Sequence, residues 1–251
     1  MTENPVDAHC HLDFNSYDED REKVVSKCRE ELDFIVNSGR DPESNGASLE
    51  LQKNHSEFIV ATAGIHPTHT DSFDSVGKVK RQIREKDFHA VGEIGMDFHH
   101  VEDQDLREKQ KQVFVQMVEF AEKMDLPVVA HSRNAEKQVV DVLAERSTEA
   151  YLHCFNGNIN QLQKAIKNNI FIGVTYQAEY SNRVQEIVRE CPLELMLLET
   201  DSPFLYKSER NSPMTVLQIA EKIAGIKDVE VEEVIAKTTD NARELFGSAA
   251  E

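Results

Sequence analysis

The chain has 251 residues, 39% of them apolar and 29% charged, with only 10 Gly and 7 Pro spread through it. That composition excludes a collagenous, low-complexity or largely disordered chain, and the length suits one larger domain or two small ones. Twenty-eight Lys and Arg against 46 Asp and Glu leave a formal charge of −18; so acidic a surface repels long polyanions unless metal ions or a local basic patch neutralise the site.

Along the chain, short apolar runs alternate with segments of helical periodicity. Strands are expected near Val6–His11, Phe34–Asn37, Phe58–Ile65, Ala90–Met96, Pro127–His131, Ala150–Phe155, Ile170–Val174 and Leu195–Thr200. Helices are expected near Glu19–Glu31, Phe73–Lys86, Asp105–Met124, Ala135–Glu145, Asn158–Lys167 and Asn182–Glu190, with two more near Pro213–Ala224 and Val229–Leu245. No helix is expected between the second and third strands. Eight strands alternating with helices match a (β/α)8 TIM barrel, here one domain over residues 1–251 with an extra C-terminal helix, and a doubly wound open sheet is the competitor. His11, Asp97, His131, His153 and Asp201 fall at or just past strand C-termini, the rim on which barrel enzymes build their sites.

No apolar run approaches the ~18 residues of a membrane span, and the N-terminus lacks a basic-then-apolar leader. The expectation is a cytoplasmic protein without a membrane partner. Cys10, Cys28, Cys154 and Cys191 show no C-x-x-C pairing, so neither a disulfide framework nor a zinc knuckle is implied. Oligomeric state is not legible.

The first strand reads Val6-Asp7-Ala8-His9-Cys10-His11. Alternation across a strand points His9 and His11 one way, where they can share an ion, and Cys10 the other. Asp7 has the parity to accept a hydrogen bond behind them; the bland alternative is two buried imidazoles bonded to backbone. Glu93 lies in the apolar run Val91-Gly92-Glu93-Ile94-Gly95, where an unpaired carboxylate is costly. Bridging two metal ions would satisfy it, as would a core ion pair with an Arg. Strands five and six each end in a single His, His131 and His153, and strand eight runs into Glu199-Thr200-Asp201. Together His9, His11, Glu93, His131, His153 and Asp201 suit two divalent ions. Nitrogen-rich ligation favours Zn²⁺ or Mn²⁺, with Mg²⁺ a poorer fit.

These motifs, with Gly64-Ile65-His66-Pro67, His131-Ser132-Arg133, His153-Cys154-Phe155-Asn156-Gly157 and Glu199-Thr200-Asp201-Ser202-Pro203, resemble the TatD-type metal-dependent deoxyribonucleases of the amidohydrolase superfamily. The resemblance runs in order from residue 9 to residue 203. It implies a (β/α)8 hydrolase in which His9, His11 and Asp201 hold one metal, His131 and His153 the other, and Glu93 bridges. One departure is Arg210-Asn211-Ser212-Pro213, where such families usually carry Glu in place of Ser212.

Such a centre acidifies a water for in-line attack on phosphorus, with Asp201 the general base and Glu93 the bridge, and a structural role the alternative for Asp201. His66 and Arg133 are candidate phosphate contacts, a turn hydrogen bond or an ion pair being equally open for each. Lys207 and Arg210 add positive charge to the rim. His69, His99 and His100 are expected to be solvated, and Glu199 to be a buried partner rather than a ligand. The expected activity is exonuclease-like, on short or single-stranded DNA ends, because few cumulative phosphate contacts are available. Hydrolysis of another ester or amide, such as D-aminoacyl-tRNA deacylation, is the main rival, and an inert barrel with a structural metal the third reading.

Overall fold

A computed structural model describes residues 3–247. Its strands are β1 (Asp7–Cys10), β2 (Ile35–Ser38), β3 (Ile59–Ala63), β4 (Ala90–Asp97), β5 (Val128–Arg133), β6 (Ala150–His153), β7 (Phe171–Val174) and β8 (Met196–Leu198). They pair in parallel in chain order. The ring closes just beyond β8: Asp201 N donates to His9 O at 2.9 Å, and His11 N donates to Ser202 O at 2.7 Å. The helices are α1 (Arg21–Glu31), α2 (Pro42–Asn54), α3 (Val76–Glu85), α4 (Gln104–Met124), α5 (Glu136–Leu143), α6 (Ile159–Lys167), α7 (Asn182–Glu190), α8 (Val216–Lys227) and α9 (Val231–Phe246). The expected (β/α)8 barrel with one additional C-terminal helix is the observed architecture. No helix among the described residues is long and apolar enough to cross a membrane.

Strands covered on both faces need apolar side chains on both, which is why these read as continuous runs rather than alternating ones. One apolar layer lies between strands and helices. The other fills the barrel and takes one side chain from every strand: Ala8, Val36, Val60, Ala90, Val129, Tyr151, Phe171 and Leu197. Leu245 and Phe246 at the end of α9 join it, with the Tyr151 and Phe246 rings 6.4 Å apart at 90°. The extra helix therefore plugs the barrel's N-terminal end and leaves the C-terminal mouth for chemistry.

Two strands break the simple alternation. Asp7 pairs with Ile35 and Cys10 with Asn37, so β1 carries one residue more than β2 over that stretch. Likewise Val91 pairs with Val128 and Ile94 with Ala130. Each is a bulge, which re-aims the side chains around it. Ala8 and Ala90 belong to the barrel interior while Cys10 and Ile94 pack outward, and the extra residue turns His9 and Glu93 inward between them. The Asp7 expectation fails here. Its carboxylate accepts from Thr200 N at 2.9 Å, Thr200 Oγ1 at 2.6 Å and His9 N at 3.2 Å, and touches no imidazole.

The helix α2, absent from the sequence reading, is a second correction. Its buried face is polar: Ser44, Asn45, Ser48 and Gln52 accompany Leu49 and Leu51. Apolar periodicity is correspondingly weak. The face binds backbone rather than apolar surface. Asn45 Nδ2 donates to Gly64 O and Gly64 N to Asn45 Oδ1, both at 3.1 Å. Ser48 Oγ donates to Asn37 O at 2.7 Å, and Ala61 N to Gln52 Oε1 at 2.6 Å. Asp41 caps the helix by accepting from Glu43 N and Ser44 N.

Candidate metal centre

At the mouth, β1, β4 and the segment after β8 bring four ligand-type atoms together. His9 Nε2 and His11 Nε2 lie 3.2 Å apart. Glu93 Oε2 is 3.5 Å from the first and 3.7 Å from the second. Asp201 Oδ1 is 3.8 and 3.5 Å from them. A tetrahedral ion with ligands at about 2.0–2.2 Å has ligand–ligand edges of about 3.3–3.6 Å. His9, His11 and Glu93 thus fit a divalent cation in kind and in spacing, with Asp201 beside both imidazoles.

The other Glu93 oxygen faces a second group. Oε1 is 2.9 Å from His131 Nδ1, 3.4 Å from His66 Nε2 and 4.0 Å from His153 Nε2. His66 Nε2 and His131 Nδ1 are 3.3 Å apart, and His153 Nε2 is 3.5 Å from Asp201 Oδ1. All six residues singled out from the sequence meet in one pocket, and His66 joins them, its nitrogen as close to Glu93 as that of His9.

The imidazoles are held on their far nitrogens, which aims the inward nitrogens at a common space. His11 Nδ1 donates to Ser38 O at 2.9 Å, and Ser38 Oγ lies 3.2 Å from His9 Nδ1. His131 Nε2 donates to Asp97 Oδ2 at 3.2 Å, and His153 Nδ1 to Glu199 Oε2 at 2.6 Å. Glu199, as expected, is a buried partner; it also accepts from Cys154 N at 2.6 Å and from the Tyr151 hydroxyl. A side chain at Gly173 would meet Glu199 Oε1 at 2.4 Å, so glycine there makes its room. Gly95 serves the β4–β5 approach similarly: its φ is +151°, and a Cβ would stand 2.0 Å from His131 O.

Burial governs the charges, and neighbours override it in places. Burial presses His131 toward neutrality, but hydrogen bonds to Asp97 and Glu93 push its pKa up to about 9 in the metal-free protein. Burial and the nearby His9 charge push His153 down to about 3. Glu93 and Asp201 are pushed up by burial but end below the ordinary carboxylate range because imidazoles surround them. Glu199, deep in the barrel, is pushed well up.

A cleft of about 520 Å³ opens over these atoms, with Phe14, Arg40, His69, His100, Arg133 and Phe204 on its walls. Arg133 is exposed at the end of β5 and reaches the cleft. His100, read as solvated, donates through Nδ1 to Asp97 Oδ2 at 2.8 Å, although its ring is half exposed. His69 donates to Asp41 at 2.9 Å rather than to water alone. Arg210 contributes no free charge: it forms a two-pronged pair with Asp20 at 2.7 and 2.6 Å. Ser212, in place of the usual Glu, caps the following turn by accepting from Met214 N at 3.4 Å. Lys207 lies over the Tyr176 and Tyr206 rings. Ser38 and Asp97 were the supporting groups without an assigned role in the sequence; each is a polar residue at the end of its strand, at the barrel rim.

A (β/α)8 barrel with imidazoles and carboxylates converging at its C-terminal mouth defines a metal-dependent hydrolase. The chain belongs to the family described as TatD related DNase, whose model matches residues 6–247. It is 33% identical over 254 residues to the uncharacterized metal-dependent hydrolase YabD of Bacillus subtilis, covering 96% of this chain and 98% of that one. It is 29% identical over 258 residues to the 3'-5' ssDNA/RNA exonuclease TatD of Erwinia amylovora, covering 96% and 99%. Among solved structures, the TatD homologue YjjV of Escherichia coli superposes with a TM-score of 0.87 at 24% identity, covering 98% and 99%, a likeness of fold.

Proposed function

We propose that the protein is a metal-dependent nuclease that hydrolyses phosphodiester bonds of single-stranded DNA ends. The observation that carries this is the five ligand-atom spacings of 3.2–3.8 Å among His9, His11, Glu93 and Asp201, at the floor of an open cleft flanked by Arg40 and Arg133. In this reading His9, His11 and Asp201 would hold one divalent ion and His131 and His153 a second, with Glu93 shared between the two sets. His66, through Nε2, stands beside the second set or meets the phosphate. Zn²⁺, Mn²⁺ and Mg²⁺ are the candidate ions. Bound there, the ions would supply Lewis acidity toward the phosphoryl oxygens and lower the pKa of the attacking water.

The chain's own groups do the rest. Asp201, 16% exposed against 2% for Glu93, is the carboxylate most open to the cleft. It orients the attacking water and takes its proton. The Arg133 guanidinium meets phosphoryl oxygens and offsets the acidic surface locally. Glu199, Asp97 and Ser38 hold the far nitrogens of His153, His131 and His11 and so aim the rings at the cleft floor. The water's oxygen bonds to phosphorus, the ester P–O bond opposite it breaks, and the leaving oxygen takes a proton from solvent. End preference is supported by the size of the cleft and by the likeness to the 3'-5' ssDNA/RNA exonuclease of Erwinia amylovora. The whole chain forms one catalytic unit, and the four unpaired cysteines fit a cytoplasmic setting.

The test is purified protein with Mg²⁺, Mn²⁺ or Zn²⁺ on end-labelled single-stranded and duplex oligonucleotides, beside D-aminoacyl esters. Metal-dependent shortening of single strands is expected. Turnover of the esters alone would remove the nuclease reading.

A further inference from the structure

On either side of the ligand atoms the cleft has a different chemistry. Phe14 and Phe204 stand edge to face, their centroids 5.1 Å apart, and both approach the His11 ring edge-on at 5.7 and 6.3 Å. Arg40 covers the Phe14 face at 4.0 Å and is itself held by Asp13 at 3.0 Å. Phe204 is therefore the open member of the pair. It is 44% exposed, in a protein whose other exposed large hydrophobic among the described residues is Tyr180. Its position is built rather than loose. Asn211 Nδ2 donates to Phe204 O at 2.7 Å and to Thr200 O at 2.9 Å. Leu205 beside it has a φ of +61°, a left-handed conformation that a branched side chain adopts at a cost.

The adjoining lobe is polar. It has a volume of about 340 Å³, shares His131, Arg133, His153, Asp201 and Leu205 with the first, and extends past Ser132, Asn156 and Arg183. Ser132 Oγ and Asn156 Oδ1 are buried there without a hydrogen-bond partner. Buried polar atoms are rarely left unpaired, so a water or a polar atom of a bound molecule is the partner these two lack. Arg183 Nη1 donates to Asn156 O at 3.2 Å, which ties the guanidinium to the same lobe.

The geometry points to a polarised substrate path that rests on the nuclease reading: the base beside the scissile phosphodiester stacks on Phe204, and the sugar–phosphate chain on the far side enters the Ser132–Asn156–Arg183 lobe. Stacking on a single open ring needs an unpaired base. It tolerates any sequence, because every base has a π face. In a duplex only the outer face of the terminal pair is open, and pairing holds that base away from a ring in the cleft, so the same feature favours single strands.

The experiment uses the metal-loaded full chain and a thymidine decamer, together with decamers whose last two units at one end or the other are abasic. Phe204→Ala is expected to raise KM for the unmodified strand about 5- to 150-fold, with kcat changed far less. Phe204→Tyr should behave like the parent. On the strand that is abasic at the cleaved end, parent and Phe204→Ala should be alike. Arg183→Ala should weaken all strands equally and flatten the salt dependence of binding by about one unit of slope. An unchanged thermal midpoint for Phe204→Ala shows the loop intact. Equal KM values for parent and Phe204→Ala on the unmodified strand would overturn the inference, as would an equal loss on the abasic strand. If no strand is cut, fluorescence anisotropy of the labelled decamer in Ca²⁺ separates the two ideas: binding that depends on Phe204 keeps the path and sinks the nuclease, and no binding sinks both.

Discussion

His9 and Glu93 each sit at the one-residue bulge of their own strand, and their Nε2 and Oε2 atoms finish 3.5 Å apart. Neither bulge alone makes a site. Together they turn an imidazole and a carboxylate from strands β1 and β4 into the same space, and the carboxylate's second oxygen then reaches His131 at 2.9 Å.

Because Glu93 serves both groups of imidazoles, its loss should be felt by both. Glu93→Gln is expected to lower bound metal to below one equivalent by elemental analysis. Activity should fall on the order of 10³-fold or more, the scale of removing a group that acts in concert with others. A variant that keeps its full metal content would show that Glu93 is not a shared ligand.

Glu199 holds His153 from behind through a 2.6 Å hydrogen bond and collects donors from Cys154 and Tyr151. Glu199→Gln sets an amide N–H₂ against groups that already donate. Metal affinity, read by competition with a chelator, should drop about 10- to 100-fold. Tyr151→Phe, which removes one donor and leaves the His153 bond, should cost clearly less.

Chelation should abolish activity without unfolding the barrel, since the filled interior from Ala8 to Leu197 owes nothing to an ion. Far-UV circular dichroism is expected to stay unchanged. The thermal midpoint should rise with added metal, with about 2.7 kcal/mol gained at a free concentration of 100 times Kd. Collapse of the dichroism on chelation would show that the ion is part of the fold.

Asn45 is fully buried and answers both the N–H and the carbonyl of Gly64. Asn45→Ala orphans both groups and should cost about 2–3 kcal/mol in urea unfolding. Turnover per folded molecule should stay within about twofold, because the residue lies behind the site. A loss under about 0.5 kcal/mol would mean that water replaces the side chain.

Asp41 supplies a pH signature away from the centre. Burial pushes its pKa up, but the N–H groups of Ser44 and Glu43 and the His69 imidazole outweigh this and hold it below the usual 3.8. A depressed carboxyl contributes stability above its unfolded pKa and loses it as pH falls through the folded one. Asp41→Ala should therefore be about 1 kcal/mol less stable than the parent at pH 6. The gap should narrow as the pH drops below 3.8. A gap independent of pH would assign the effect to packing alone.

Much of this was legible because parallel strands buried on both faces tolerate few polar side chains. His131, His153 and Glu93 therefore stood out against apolar neighbours, and their places at strand ends pointed to a barrel mouth. The helix α2 escaped because Ser44, Asn45, Ser48 and Gln52 bury hydrogen bonds instead of apolar area, and periodicity registers only the latter. Asp7 was misplaced because alternation assumes an unbroken ladder, and a bulge shifts every side chain beyond it to the opposite face.

The order of residues determined by itself the eightfold alternation and the six ligand types, since burial preference and strand periodicity are local properties of the chain. Tertiary structure alone decided which nitrogen of each imidazole faces inward, that His66 stands with the ligands, and that Arg210 is occupied by Asp20. It also left Phe204 open at the cleft wall. Those outcomes depend on contacts between segments far apart in sequence, whose geometry is fixed only when the ring of strands closes.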